Sequence, residues 1–270
     1  MGKFDGVLLV SDFDDTLIGH SLRLSDENRA AIEYFMEEGG RFTIATGRSH
    51  LTFAPQVPMV PMNAPVVLSN GAVLFDFCTD QLIYQSTLPE RVLEDLYVII
   101  KAFPTIGFEL YYGEEMFAFQ PNQITRNHAK KVGIPFTECK DPKDAPRPWV
   151  KAIFEQETGL LIEVQHFIQT HWSEHYEIIF SNHHLLELTA KGSTKGEQVR
   201  RLAQLEGIDL AHLYCVGDNQ NDLPMLRLAN IGFCPSDAAP EVLEKDWVQK
   251  VSSSDDHCVR DVVGFLDKRY

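Results

Sequence analysis

The stretch GVLLVSDFDDTL, residues 6–17, sets a short, continuously apolar run against three aspartates. Such a run fits a strand buried on both faces of a parallel sheet. In sheets of that kind the carboxyl ends of the strands line the ligand crevice. Asp12 and Asp14 leave this end at i and i+2, and carboxylates so close call for a cation, a shared proton or divided tasks. A solvated turn with a helix-capping aspartate accounts for one such acid, not for three.

Outward from this stretch, the chain alternates strand and helix. Ser25 can cap a helix whose Ala31, Ile32, Phe35 and Met36 share one face, with Gly39-Gly40 as its stop. Residues 42–46 (FTIAT) and 65–69 (PVVLS) read as second and third buried strands. Short links between them imply right-handed crossovers. The rhythm then breaks. A hairpin is expected over 72–86, followed by helix-strand-strand twice: helix 89–103 with strands 108–112 and 116–120, then helix 158–170 with strands 176–180 and 185–189. This predicts a small α+β layer with antiparallel pairing, in which 139–148 (CKDPKDAPRP) is an exposed loop. After Lys191 the first rhythm resumes, with helices at 195–205 and 223–228 and strands at 213–216, 231–234 and 247–251. The expected fold class is therefore α/β: a Rossmann-like doubly wound parallel sheet core from residues 1–84 and 190–270, carrying an inserted α+β domain at 85–189.

Three further motifs share the context of the first. Gly217-Asp218-Asn219-Gln220-Asn221-Asp222 follows the apolar LYCV, and Asp218 and Asp222 at a helix start can face one cleft, where hard oxygen ligands suit Mg²⁺. Helix capping explains one or two acids there, but not acid clusters at two strand ends of one sheet. Thr46-Gly47-Arg48 closes the second strand, where a hydroxyl and exposed N–H groups can hold a phosphate oxygen. Lys195 stands at a helix N-terminus, where a cation opposes the helix dipole unless an anion compensates.

Taken in order, these four motifs resemble those of the haloacid dehalogenase superfamily phosphatases: Asp-x-Asp-x-Thr, then Ser/Thr, then Lys, then Gly-Asp-x-x-x-Asp. The insertion resembles the type IIB cap of Cof-type sugar phosphatases, and the resemblance spans essentially the whole chain. It implies that Asp12 is a nucleophile forming an aspartyl-phosphate, and that Asp14 protonates the leaving group and then activates water. Thr46 and Lys195 would hold phosphoryl oxygens, with Gly47 and Arg48 in the same loop. Mg²⁺ would be bound by Asp12, the backbone carbonyl of Asp14 and Asp218, with Asp222 and Asn221 supporting that shell. Asn70-Gly71 resembles the loop leading into the cap and would touch substrate. A phosphomutase of the phosphomannomutase type keeps both aspartates and stays open as an alternative, as does a non-catalytic binding protein on this fold.

Composition narrows the partners. Twenty-four basic against 39 acidic residues leave a net charge of −15, a field that repels nucleic acid and anionic membranes. No apolar stretch reaches the roughly 18 residues of a membrane span. The partner expected is a small phosphorylated substrate. Five cysteines form no Cys-x-x-Cys pair, and Cys78, Cys215 and Cys234 lie in apolar runs as expected buried thiols, which favours the cytoplasm. His171-Trp172-Ser173-Glu174-His175 matches a zinc-peptidase spelling, but straddles a predicted helix end.

Overall fold

The computed structural model describes residues 2–270, which form two compact units. One holds the residues up to Arg48 with Phe53–Tyr84 and Thr194–Tyr270; the other holds Ser49–Thr52 and Gln85–Ser193.

In chain order the elements begin with β1 (Leu8–Ser11), α1 (Asp26–Glu37), β2 (Arg41–Ile44), the single turn α2 (His50–Phe53), β3 (Val66–Leu68), β4 (Val73–Asp76) and β5 (Gln81–Gln85). The second unit contributes α3 (Val92–Ala102), β6 (Gly107–Tyr112), β7 (Glu115–Phe119), α4 (Gln123–Val132), β8 (Phe136–Cys139), β9 (Lys151–Glu155), α5 (Thr158–Trp172), β10 (Tyr176–Asn182) and β11 (Leu185–Ala190). The first unit then closes with α6 (Lys195–Leu205), β12 (Leu213–Val216), α7 (Leu223–Leu228), β13 (Ile231–Cys234), α8 (Pro240–Leu243), β14 (Val248–Lys250) and α9 (Cys258–Arg269).

A parallel sheet of order β14-β13-β12-β1-β2 forms the first unit's centre. Ser11 pairs with both Val216 and Ile44, so β1, β12 and β2 end level with one another. That register places the residues after each strand at one sheet edge. Leu8, Val10 and Cys215 pack against Val199, Leu202 and Met225 of the helices above. On α1, Ser25 Oγ accepts from Asn28 N and Asp26 and Glu27 sit in the first turn, where the helix dipole favours acids. The third expected strand does not continue the parallel sheet. β3 touches β2's end through a single bridge, Ala45 to Val67, and then pairs antiparallel with β4.

The second unit is a six-stranded sheet of order β10-β11-β9-β6-β7-β8. Successive side chains along its strands alternate between two faces, with one irregularity in β10 between Phe180 and Asn182. Phe108, Leu110, Phe154, Leu186 and Leu188 meet α3 and α5 through Leu96, Ile99, Leu161, Val164 and Ile168. On the opposite face Tyr111, Met116, Ile153 and Leu185 meet Ile124, Ala129 and Val132 of α4.

Several expectations need correction. The helix-strand-strand repeat is interrupted by α4, β8 and β9, and β8 pairs parallel to β7. The sequence QITRNHAKKV of α4 is mostly polar but periodic, with Ile124, Ala129 and Val132 on the face toward the sheet, Asn122 as its cap and Gly133 as its stop. Cys139 is not in an exposed loop but ends β8, buried, and a 3-10 turn follows at Pro142–Asp144. Cys78 is exposed, because the apolar run before it ends in a turn where Asp76 accepts from Cys78 N.

Candidate active site

Asp12 N donates to Val216 O, so Asp12 extends β1 by one residue and its side chain stands at the sheet edge. Asp218 and Asp222 arrive there from the loop after β12. Their carboxylate oxygens and that of Asp12 all lie within 4.8 Å of one another. Lys195, first residue of α6, enters this cluster almost fully buried. Its Nζ donates to Asp12 Oδ1 at 2.5 Å and to Asp222 Oδ1 at 2.6 Å. The helix starts there because Thr194 Oγ1 accepts from Glu197 N, and the two carboxylates compensate the cation that the helix dipole disfavours. Asp222 Oδ2 accepts from the N–H groups of Asp218 and Asn219, so both its oxygens are engaged. Gly217 permits this loop: a Cβ there would stand 2.5 Å from Asp222 Cγ.

The electrostatics follow from burial. Burial pulls the Lys195 ammonium down, but the Asp12 and Asp222 carboxylates more than offset it and hold the group above its ordinary range. Burial pushes Asp12 up, with Lys195 opposing and Asp222 and Asp218 adding repulsion. Asp218 is pushed up to about 7, chiefly by burial and by Asp222, against a hydrogen bond from the Thr16 hydroxyl at 2.7 Å. One ammonium thus serves three buried carboxylates. The remaining negative charge suits a divalent cation, and the oxygens of Asp12 and Asp218 are hard ligands for one.

Beside the acids lies a second polar group of residues. Thr46, after β2, is buried and accepts from Asn70 N through its backbone carbonyl at 3.0 Å. Asn70 adopts a left-handed backbone (φ 53°), and its side-chain amide stands 3.2 Å from where a Cβ on Gly47 would be. Asn221 Nδ2 donates to Asn70 Oδ1 at 2.9 Å. This leaves Asn70 Nδ2 and Asn221 Oδ1 buried with no hydrogen-bond partner among the described residues. An orphan amide donor beside a glycine and a threonine is a fitting receptor for an anionic oxygen. Gly71 (φ +99°) passes so close to Thr194 O that a Cβ would collide with it, which ties this loop to the start of α6.

Asp14 lies apart from the acid cluster. Its carboxylate is forked by Arg48, with Nη2 to Oδ1 at 2.6 Å and Nε to Oδ2 at 2.8 Å, while the guanidinium lies over the Phe13 ring. Arg48, expected at the phosphate from its place in Thr46-Gly47-Arg48, holds Asp14 in the structure.

Compared with known proteins, residues 9–260 match the haloacid dehalogenase-like hydrolase family. The chain belongs to the haloacid dehalogenase-like hydrolases. It is 27% identical to the putative phosphatase YxeH of Bacillus subtilis, across 95% of this chain and 98% of that one. It is 23% identical to the 5-amino-6-(5-phospho-D-ribitylamino)uracil phosphatase YwtE of the same organism, across 95% and 96%. Among solved structures, the subclass IIB sugar phosphatase BT4131 superposes with a TM-score of 0.82 at 19% identity, covering 97% of this chain and 99% of its own. The family makes the chain an enzyme, a hydrolase, and the relatives it matches are named phosphatases.

In this hydrolase the structure brings Asp12, Lys195, Asp218 and Asp222 into one cluster, Thr46, Gly47, Asn70, Gly71 and Asn221 into a second polar group, and Asp14 with Arg48 into a separate pair. Thr16 joins the site although it is not among the site residues expected from the sequence. Its hydroxyl holds Asp218, and its place in Asp-x-Asp-x-Thr was the available signal. The zinc-peptidase spelling does not assemble: His171 is bonded within the last turn of α5 to Phe167 O, while His175 Nε2 meets Arg91. Among the described residues, no helix is long and apolar enough to cross a membrane.

Proposed function

We propose that this hydrolase is a Mg²⁺-dependent phosphatase of a small phosphorylated metabolite, of the sugar phosphate class, acting through an aspartyl-phosphate on Asp12. The observation that carries the reading is the ratio of one buried ammonium to three buried carboxylates at the ends of β1 and β12, next to an orphan amide donor on Asn70. Asp12 and Asp218 would hold the ion with the backbone carbonyl of Asp14, and Asp222 would support them. Bound there, Mg²⁺ supplies charge neutralisation for a carboxylate meeting a phosphate dianion, a repulsion of about 4 kcal/mol per unit pair at about 4 Å and an effective dielectric of about 20.

The chain's own residues supply the rest. An Asp12 carboxylate oxygen attacks phosphorus as the ester P–O bond breaks, and Asp14 gives its proton to the leaving oxygen. Asp14 then takes a proton from water, whose oxygen attacks phosphorus and releases phosphate, restoring Asp12. Lys195 stays charged and balances the gathering negative charge, while Thr46, Gly47 and Asn70 receive the phosphoryl oxygens. Arg48 positions Asp14. We read the insertion, residues 85–189, as the type IIB cap. The names of YwtE and BT4131, one a phosphoribityl compound's phosphatase and the other a sugar phosphatase, support a phosphorylated metabolite as substrate. Five free cysteines support a reducing compartment such as the cytoplasm.

The test is phosphate release from a panel of sugar phosphates and an aryl phosphate, with Mg²⁺ or with EDTA, for wild type and Asp12→Asn. Mg²⁺-dependent release abolished by the substitution is the expected result. Isomerised sugar phosphate without release would replace the reading by a mutase, and Mg²⁺ binding with no turnover of any compound would leave a binding protein.

A further inference from the structure

A second group of buried acids lies in the other unit, on the sheet face covered by α4. Glu109 stands mid-strand in β6 and Glu155 ends β9. Gly107 pairs with Glu155 and Glu109 with Ile153, so the two glutamates are diagonal neighbours on one face. Both are fully buried. His128 of α4 comes down between them: Nδ1 is 2.9 and 3.0 Å from the two oxygens of Glu109 and 3.7 Å from Glu155 Oε1. One ligand atom from each residue lies within 4.8 Å of the others.

The surroundings hold the three in place without satisfying them. Tyr111 Oη donates to Glu109 Oε2 at 2.8 Å. Asn122 caps α4 through its side-chain oxygen, while its Nδ2 donates to the backbone carbonyl of Glu155 at 2.9 Å, pinning the helix over the pair. Neither carboxylate oxygen of Glu155 has a hydrogen-bond partner among the described residues. A buried carboxylate in that condition is costly unless it is neutralised. Lys151, nearby on the same face, is paired with Glu187 at 3.1 Å.

We propose that Glu109, His128 and Glu155 form a binding site for a Zn²⁺-class divalent cation, separate from the acid cluster at the strand ends. Two carboxylates and a neutral imidazole carry the charge that one divalent ion cancels. An imidazole nitrogen with two carboxylate oxygens is a donor set for zinc rather than for Mg²⁺, which demands octahedral oxygen. Ligands at about 2.0–2.2 Å from a tetrahedral ion stand roughly 3.3 Å apart, between the His128 separations from Glu109 and from Glu155. Tyr111 orients Glu109 as an outer partner, and the partly exposed edge of His128 gives the ion its way in. The ion would staple α4 to the sheet.

The experiment uses full-length Asp218→Asn, which weakens the strand-end cluster, stripped with EDTA and titrated with Zn²⁺ or Co²⁺. One equivalent held at micromolar metal, with the visible spectrum of tetrahedral Co²⁺ and a higher Tm in Zn²⁺ but not in Mg²⁺, is expected. Adding His128→Ala or Glu155→Gln should remove that equivalent and weaken binding about a hundredfold. Glu155→Gln keeps the side-chain shape and removes the buried acid, so it folds without metal. Unchanged stoichiometry and Tm response in both variants, or no Zn²⁺ retained by the parent, would overturn the proposal.

Discussion

The acids of the first unit stand on loops just past strand ends, whereas those of the second unit stand on the strands themselves. That difference decides what each cluster can do. Asp222 spends both oxygens on Lys195 and on two N–H groups, which leaves Asp12 and Asp218 to face ligands at an edge where the backbone is free to receive them. Glu109 and Glu155 are buried between a sheet and α4, with no ammonium among their hydrogen-bond partners. A strand-end cluster exchanges ligands and suits turnover; a mid-strand cluster under a helix retains what it binds and suits a structural role.

The strongest way to break this contrast is Asp12→Asn. Phosphate release should fall by about 10³-fold or more, while Zn²⁺ uptake by the second unit stays as in wild type; parallel phosphate assays and metal titrations check it. Asp14→Asn should cost about 10²-fold or more on a sugar phosphate, and much less on an aryl phosphate, whose leaving oxygen needs no proton. Equal losses on both substrates would remove Asp14 from the acid role.

Lys195→Met sharpens the comparison from the stability side. It leaves buried carboxylates without their ammonium, and urea unfolding in EDTA should show a loss of about 3 kcal/mol, with part of it regained in Mg²⁺. Gly217→Ala should cost about 1–3 kcal/mol, because its Cβ displaces the Asp222 carboxyl. Its Mg²⁺ affinity should weaken with its stability.

The smallest effect concerns thiols. Only exposed Cys78 should react rapidly with a disulfide reagent in the native state at neutral pH. Burial pushes Cys139 up to about 11 and Cys258 up to about 12, from an ordinary value of 9.0. The folded chain therefore keeps these protons where the unfolded chain releases them. Their contribution to stability is complete below pH 9 and is lost as pH climbs through those values. Unfolding midpoints measured across that window should fall.

Local sequence carried much of the first unit. The bounds of α6, α7 and β13 coincide with those expected, because each has an apolar face and a turn or cap at its edge. In the second unit α4 carries the same kind of signal, an Asn122 cap, a Gly133 stop and a narrow apolar face, yet it is absent from the expected elements, as are β8 and β9. The site residues of the first unit were legible for the same reason: strand ends concentrate function into short, contiguous motifs. Arg48 shows the limit, since its motif does not say that the guanidinium turns to Asp14.

The sequence by itself determined the α/β class and the acid motifs that follow the buried strands, since both arise from neighbours in the chain. Only the tertiary structure decided that Lys195 bridges Asp12 and Asp222, and that Glu109, His128 and Glu155 meet under α4. Those residues lie far apart along the chain, and only strand register and helix docking set their distances.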